Sequence, residues 1–424
     1  MSTRNISISL IWTIIVLLAM DFYVYAALRK SIQKSKWKPY LNIFFIVSIV
    51  LGYIGFYYFY FYFTVKPLQM QLAPNLAIGF FFSFMAVKIL LVLFFLFEDL
   101  LRLFELVFNV IKNLLRADKE KVKRPGRRGF IRTAGLIVAG IPFTSMLYGI
   151  TKGKYDFKVN KVKIGFDNLP KSFEGFKILH ISDIHSGSFD SHEAIIDGIK
   201  LVNQQEADVV LFTGDLVNND SREIEPFIKD FKGLKAPEGV FSVLGNHDYG
   251  DYKKWDSEED KQKNMELLYQ HQKEMGFQLL NNENTVIKRE DEVIGIYGVE
   301  NWGNPPFPQK GDLDKALLGR EDIDFKILMS HDPTHWDKKV TSHPTQIDLT
   351  LSGHTHGMQF GIEIPGFKWS PIKYIYPQWA GLYKKDKKHL YVNRGFGFLG
   401  FPGRVGIWPE ITLIELTRNM KNNV

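Results

Sequence analysis

Four apolar runs in the first 150 residues limit what this chain can fold into. Residues 8–28, about 41–63 and about 76–97 each supply roughly 20 mostly apolar residues, enough to cross a hydrocarbon layer about 30 Å thick. Backbone groups in lipid must find partners within their own segment, so such runs fold as helices. A fourth, weaker run extends from Phe130 to about Ile150 and holds Gly135, Gly140 and Pro142. It reads as a fourth span, with a short surface or buried helix as the alternative. Apart from Arg4, the first run carries its positive charges after the apolar stretch, which fits a span rather than a cleavable signal.

Loop charge sets the expected orientation. Arg29, Lys30, Lys34, Lys36 and Lys38 lie between runs one and two. Lys119, Lys121, Lys123, Arg124, Arg127, Arg128 and Arg132 lie between runs three and four, whereas only Lys66 lies between two and three. Basic loops stay cytoplasmic. The expectation is a multi-pass protein of a bacterial inner membrane, with both termini and everything after the fourth run outside the cytoplasm. If the fourth run does not span, that side reverses.

Arg127-Arg128-Gly129-Phe130-Ile131-Arg132 resembles a twin-arginine export signal, although a basic cytoplasmic loop has the same composition. Residues 98–116 repeat apolar side chains at helical spacing. They form either an amphipathic helix on the membrane surface or a prolongation of the third helix. Asp21 and Lys88 fall inside spans at matched depth. An ion pair between helices would offset the cost of intramembrane charge; otherwise Lys88 snorkels and Asp21 sits near the interface. The organisation expected is a membrane region over 1–116, a basic loop and fourth span over 117–150, and a soluble domain over 155–418.

The net charge of +7 is gathered in the two basic loops, which argues for membrane flanks and against a face for nucleic acid. There is no cysteine. Disulfides and thiolate sites are thereby excluded, and any metal must be held by His, Asp, Glu or Asn.

Beyond residue 155 short apolar runs alternate with polar helical stretches. Strands are expected at 176–181, 208–213, 239–244, 293–299, 325–329, 347–351, 389–393 and 411–416, and helices near 192–204, 222–232 and 259–275. This alternation predicts an α/β domain with sheet at its core. Five strands end in short blocks of metal-binding character: Asp183-Ile184-His185, Gly214-Asp215, Gly245-Asn246-His247-Asp248, Ser330-His331-Asp332 and Gly353-His354-Thr355-His356. Side chains at the carboxyl ends of neighbouring strands converge on one rim. Together they offer enough oxygen and nitrogen donors for two divalent cations, an arrangement suited to in-line displacement at phosphorus.

Taken in order, D-x-H, G-D, G-N-H-D, a lone His and G-H-x-H resemble the calcineurin-like metallophosphoesterase family over about 170–416. Gly357-Met358-Gln359 and Asn393-Arg394-Gly395-Phe396-Gly397 are similar to its membrane-anchored bacterial branch of envelope phosphodiesterases. The resemblance implies a two-sheet β-sandwich flanked by helices, preceded here by an all-α membrane region of about four helices. It implies one metal on Asp183, His185, Asp215 and His356, and a second on Asp215, Asn246, His331 and His354. Asp215 would bridge the two ions. Carboxylates, imidazoles and one neutral amide suit Mn²⁺, Fe²⁺ or Zn²⁺. His247 would stabilise the transition state or protonate the leaving oxygen, with Asp248 orienting it.

The expected activity is hydrolysis of a phosphodiester or phosphoanhydride by a metal-bridging hydroxide, on an envelope or lipid-linked phosphate ester, beside membrane lipids. The rivals are a cytoplasm-facing nucleotide-lipid pyrophosphatase and a non-catalytic membrane sensor. Elsewhere, His180 reads as a core histidine or a partner to the metal site. His192, His271, His335, His343 and His389 read as structural or solvated. Aromatic stretches at 302–307 and 358–383 read as substrate wall, loop packing or membrane contact. Arg394 and Arg404 could grip phosphate or serve at the surface or sheet edge.

Overall fold

The structure, a computed structural model, describes residues 3–32, 36, 38–115 and 127–419. Lys34 and the basic group Lys119, Lys121, Lys123 and Arg124 lie outside the described residues. Two compact units are present. One comprises residues 1–60 and 76–147; the other comprises Phe61–Asn75 together with the chain from Tyr148 on.

The first unit is helical. Its helices are α1 (Thr3–Ile32), α2 (Lys38–Val65), α3 (Leu72–Leu115) and α4 (Arg127–Thr151), the last turns of α2 and α4 and the first turn of α3 falling in the second unit. Each contains a stretch long and apolar enough to cross a membrane, including Ala134–Thr151 in α4. No Gly or Pro follows Gly79 within α3, so nothing interrupts its 44 residues. The amphipathic stretch from residue 98 is therefore a prolongation of the third helix and not a separate surface helix. In α4, Pro142 cannot donate to the ladder, and the Thr144 hydroxyl donates to the carbonyls of Gly140 and Ile141. Val24, Leu91, Phe95 and Ala139 are buried together. Lys88 and Asp21 form an ion pair with both side chains largely buried, the paired arrangement among those expected.

The second unit contains two six-stranded sheets and a small hairpin. The first sheet runs β1 (Lys158–Phe166), β14 (Glu410–Arg418), β2 (Lys177–Ile181), β3 (Val209–Phe212), β4 (Val240–Ser242) and β5 (Phe277–Leu279). The second runs β12 (Gly381–Lys385), β13 (Lys388–Val392), β9 (Leu349–Ser352), β8 (Lys326–Met329), β7 (Glu292–Gly298) and β6 (Glu283–Arg289). β10 (Ile362–Ile364) and β11 (Phe367–Trp369) pair with each other. Strands β2 to β5 are mutually parallel, as are β7, β8, β9 and β13.

Period-two alternation decides which layer each side chain joins. Ile178, Val209 and Leu211 face Ile296, Ile327 and Leu351 across the sandwich. Their neighbours Leu179, Val210 and Phe212 turn outward onto helices α5 (His192–Asn203), α6 (Ile228–Phe231) and α7 (Glu258–Met275). On the far side Tyr297, Leu328 and Val392 pack under α8 (Leu313–Leu317) and α9 (Pro333–Lys338). The result is a two-sheet β-sandwich flanked by helices. The helix expected over 222–232 is a 3-10 segment, Ser221–Phe227, running into α6, with Pro226 inside the 3-10 part.

Candidate metal centre

The parallel strands β2, β3 and β4 of one sheet and β8 and β9 of the other end on a common rim, and each of the five blocks follows one of them. Asp183, His185 and His356 come together with one donor atom from each within 4.8 Å of the others; Asp215, His331 and His354 do the same. All but His354 are buried. Asn246 joins the second group, its Oδ1 lying 2.8 Å from Nδ1 of His354.

Backbone geometry explains how short loops achieve this convergence. Asp183, His185, Asp215, His354 and His356 all have left-handed φ, between 49° and 71°. Non-glycine residues rarely adopt it, and each costs about 1–3 kcal/mol that surrounding structure must offset. The rim supplies dense bonding. The Asp248 carboxylate accepts backbone N–H groups from Asp215, Leu216 and Gly245 at 2.8–2.9 Å and from Val217 at 3.3 Å. Asp215 Oδ1 accepts the His247 N–H at 2.8 Å, and Asp183 accepts that of His354 at 3.0 Å. Gly353 is required by close approach: a Cβ there would lie 1.9 Å from Ser182 Oγ and 2.2 Å from Asp183 Oδ2.

Hydrogen bonds also turn particular imidazole nitrogens inward. His331 Nδ1 donates to the Thr213 carbonyl at 2.7 Å, and His185 Nδ1 donates to Asn218 Oδ1 at 3.0 Å. Nε2 of each ring is thereby left as a donor to a cation. The Nε2 atoms of His185 and His356 are buried and make no hydrogen bond among the described residues, although each faces a carboxylate, Asp215 at 3.5 Å and Asp183 at 3.3 Å. Asn246 gives its Nδ2 hydrogen to Tyr252 at 2.9 Å, which leaves Oδ1 facing inward. Orphaned nitrogens, inward oxygens and two buried carboxylates fit divalent cations.

The side-chain charges agree with that fit. Burial would raise the Asp215 carboxyl, but His331 at 3.2 Å holds it well below the ordinary range. Asp183 is also lowered, the opposing effect of burial being overcome by His356. The same coupling pushes His331 up to about 10, the Asp215 charge outweighing burial; a cation at Nε2 would displace that proton. Burial lowers His185, His247 and His354, keeping them neutral.

Two expectations change. Asp248 does not orient His247: its carboxylate is committed to backbone N–H groups, and His247 Nδ1 instead donates to the Asn218 carbonyl at 2.7 Å. Burial and the Asp215 charge push Asp248 up to about 7, against the pull of those donors. Arg394 and Arg404 are not exposed phosphate clamps, because both are buried. Arg394 pairs with Glu410 and with Glu363 at 2.6 Å, and Arg404 donates to the carbonyls of Arg394 and Gly397.

Several participants carry no motif signal. Asn218 binds His185 through its side chain and His247 through its carbonyl; its three-residue distance from Asp215 in one loop is the one available clue. Tyr376 meets His354 Nε2 at 2.8 Å, and Phe307 stands edge-on to the His354 ring at 4.8 Å. Both aromatic stretches therefore supply a wall of the site. His180 is a core histidine, its Nε2 2.9 Å from Thr213 Oγ1. Thr213 is the residue whose carbonyl orients His331.

Sequence comparison places these features among known proteins. Residues 4–154 match the model of a probable calcineurin-like phosphoesterase transmembrane domain, and residues 176–358 match that of the calcineurin-like phosphoesterase domain. A zebrafish transmembrane protein with metallophosphoesterase domain is 30% identical over 64% of this chain, which spans 60% of that protein. Phosphodiesterase YaeI of Escherichia coli is 29% identical over 68% of this chain and 98% of its own length. Among solved structures, NAD nucleotidase of Haemophilus influenzae aligns over 52% of this chain and 45% of its own, with a TM-score of 0.36 and 16% identity.

Proposed function

We propose that this chain, a member of the calcineurin-like metallophosphoesterase family, is a membrane-associated, metal-dependent phosphoesterase that hydrolyses a phosphodiester or phosphoanhydride outside the cytoplasm. The observation that carries this reading is the paired donor groups, Asp183/His185/His356 and Asp215/His331/His354, on one rim. Asp183, His185, Asp215 and His356 would hold one cation; Asp215, Asn246, His331 and His354 would hold the other. When bound, two such cations supply positive charge for the phosphoryl oxygens and lower the pKa of an attacking water.

The protein's own residues do the rest. Asn218 keeps the Nδ1 proton of His247 on its carbonyl, so the bare Nε2 is the atom that would take a proton from the attacking water and pass it to a leaving oxygen. The His247 side chain is only partly buried, unlike most of its neighbours, which suits a group that meets substrate. The relative named a phosphodiesterase supports the diester assignment. Orientation rests on loop charge: the α2–α3 connection holds only Lys66, and that connection belongs to the same unit as the site.

The test uses the full-length protein in detergent, stripped of metal and reloaded with Mn²⁺, on an aryl phosphodiester and an aryl monophosphate. Metal-dependent diester turnover that disappears in Asp215→Asn is expected. Two bound metals without turnover of either ester would overturn the hydrolase reading. Accessibility of a reporter after residue 419 to the cytoplasm would overturn the orientation.

A further inference from the structure

The β10–β11 hairpin leaves most of its apolar side chains uncovered. Its register pairs Ile362 with Trp369 and Ile364 with Phe367 on one face, and Glu363 with Lys368 on the other. Here Glu363 reaches in to Arg394 at 2.6 Å, and Lys368 donates to the Ala380 carbonyl at 2.6 Å while lying over Trp379. The apolar face is left outside, with Ile364 59% and Phe367 52% exposed. Just downstream, Tyr374 and Ile375 are 75% and 69% exposed. Large apolar side chains left exposed along one short stretch of chain mark a contact site.

What covers the patch follows from its attachment. Gly361 donates to the Val405 carbonyl at 2.9 Å, Val405 donates to Gln359 at 2.7 Å, and Arg404 donates to the Gly149 carbonyl at 3.2 Å. Gly149 lies in the last turn of α4, inside the apolar stretch Ala134–Thr151, and within the same unit as the hairpin. The hairpin thus springs from a segment bonded to the carboxyl-terminal turn of the fourth apolar helix. From Gly361 to Ile364 is three residues, about 10 Å of strand.

We propose that the β10–β11 hairpin and Tyr374–Ile375 seat in the membrane surface, and that the substrate is a phosphate ester resident in that bilayer. The second part rests on the phosphohydrolase reading of the site. Chain continuity joins the two: Tyr376, one residue past Ile375, places its hydroxyl 2.8 Å from His354 Nε2. A lipid whose headgroup enters the site would keep its tails beside the hairpin.

The chain has no cysteine, so single labels are available throughout. Ile364→Cys and Phe367→Cys, each carrying an environment-sensitive fluorophore, would be reconstituted as full-length protein in phosphatidylcholine–phosphatidylglycerol vesicles containing nitroxide-labelled lipid. Lys288→Cys on β6 is the exposed control. Quenching at both hairpin sites well above the control is expected; quenching equal to the control overturns the seating. The double variant Ile364→Ser/Phe367→Ser tests the substrate class. Its turnover of a fluorogenic phosphodiester lipid in the vesicles should fall by about tenfold or more, with a soluble aryl diester held within about twofold, since two apolar anchors are lost. Equal loss on both, or loss on neither, overturns the bilayer-resident substrate. If the parent protein turns over neither ester, the phosphohydrolase reading fails while the quenching still decides the seating.

Discussion

Asn218 donates its Nδ2 hydrogen to the Tyr62 hydroxyl at 3.1 Å while its Oδ1 accepts from His185 Nδ1 at 3.0 Å. A residue at the end of the second apolar helix is therefore two hydrogen bonds from the His185 imidazole, a candidate metal donor. Gln69, Met70 and Asn75 extend the same contact, bonding Glu223, Gly187 and Ser188 respectively. Partners that orient metal-bound imidazoles typically contribute about 10–100-fold in metal affinity. Asn218→Ala should lose that much, and Tyr62→Phe should lose less, in a competitive chelator titration of the full-length protein. Unchanged affinity in Asn218→Ala would show that His185 is positioned without it.

His247 should behave as a proton donor and not as a ligand. His247→Ala is expected to retain both metals by elemental analysis while kcat falls about 10²–10⁴-fold on an alkyl phosphodiester. An aryl ester, whose leaving group departs without help, should be affected less. Loss of metal on substitution would place His247 among the ligands instead.

The Asp21–Lys88 pair should show strong coupling. Removing one partner leaves the other buried and uncompensated, at about 3–5 kcal/mol. Asp21→Ala and Lys88→Ala should each lower the thermal stability of the detergent-solubilised protein, and the double variant should recover part of the loss. Simple additivity would mean that the two charges do not interact.

Stability should fall in mild acid. Burial depresses His180 and His335 to about 4. Their unfolded values lie near 6.5, so the unfolded chain binds more protons between about pH 6.5 and 4, and folded stability is lost as pH drops through that window. Each contributes on the order of 3 kcal/mol at full effect. His335→Gln should flatten the decline of melting temperature with falling pH in scanning calorimetry. A parallel decline in the variant would assign the acid sensitivity elsewhere.

Much of this architecture was legible from local pattern. The run at 325–329 forms Lys326–Met329 and that at 293–299 forms Glu292–Gly298, because apolar β-branched runs bounded by turns have few alternatives to strand. β1 was not legible: its pairing of Lys158 with Glu410 joins residues far apart in sequence, and its own alternation is broken by polar residues. The short, exposed β10 and β11 fail the same test, since their apolar face meets no protein core. In the site, donor residue types were readable as chemistry. Their left-handed backbone was not, because Asp and His enter that region more often than most side chains yet still seldom, and tertiary bonding decides at which positions they do. Asn218 shows the same limit: one loop Asn among many becomes a hub only when strands β2 and β3 bring His185 beside it.

The second unit draws Phe61–Asn75 from a stretch synthesised well before the rest of it, with most of α3 and α4 made in between. Its assembly is consequently a rendezvous. The early segment waits on one face of the bilayer, and the later domain can close around it only if the intervening helices have threaded so as to emerge on that same face. A chain in which one of those two helices failed to cross would leave Asn218 without Tyr62, so correct threading becomes a precondition for completing the candidate metal centre.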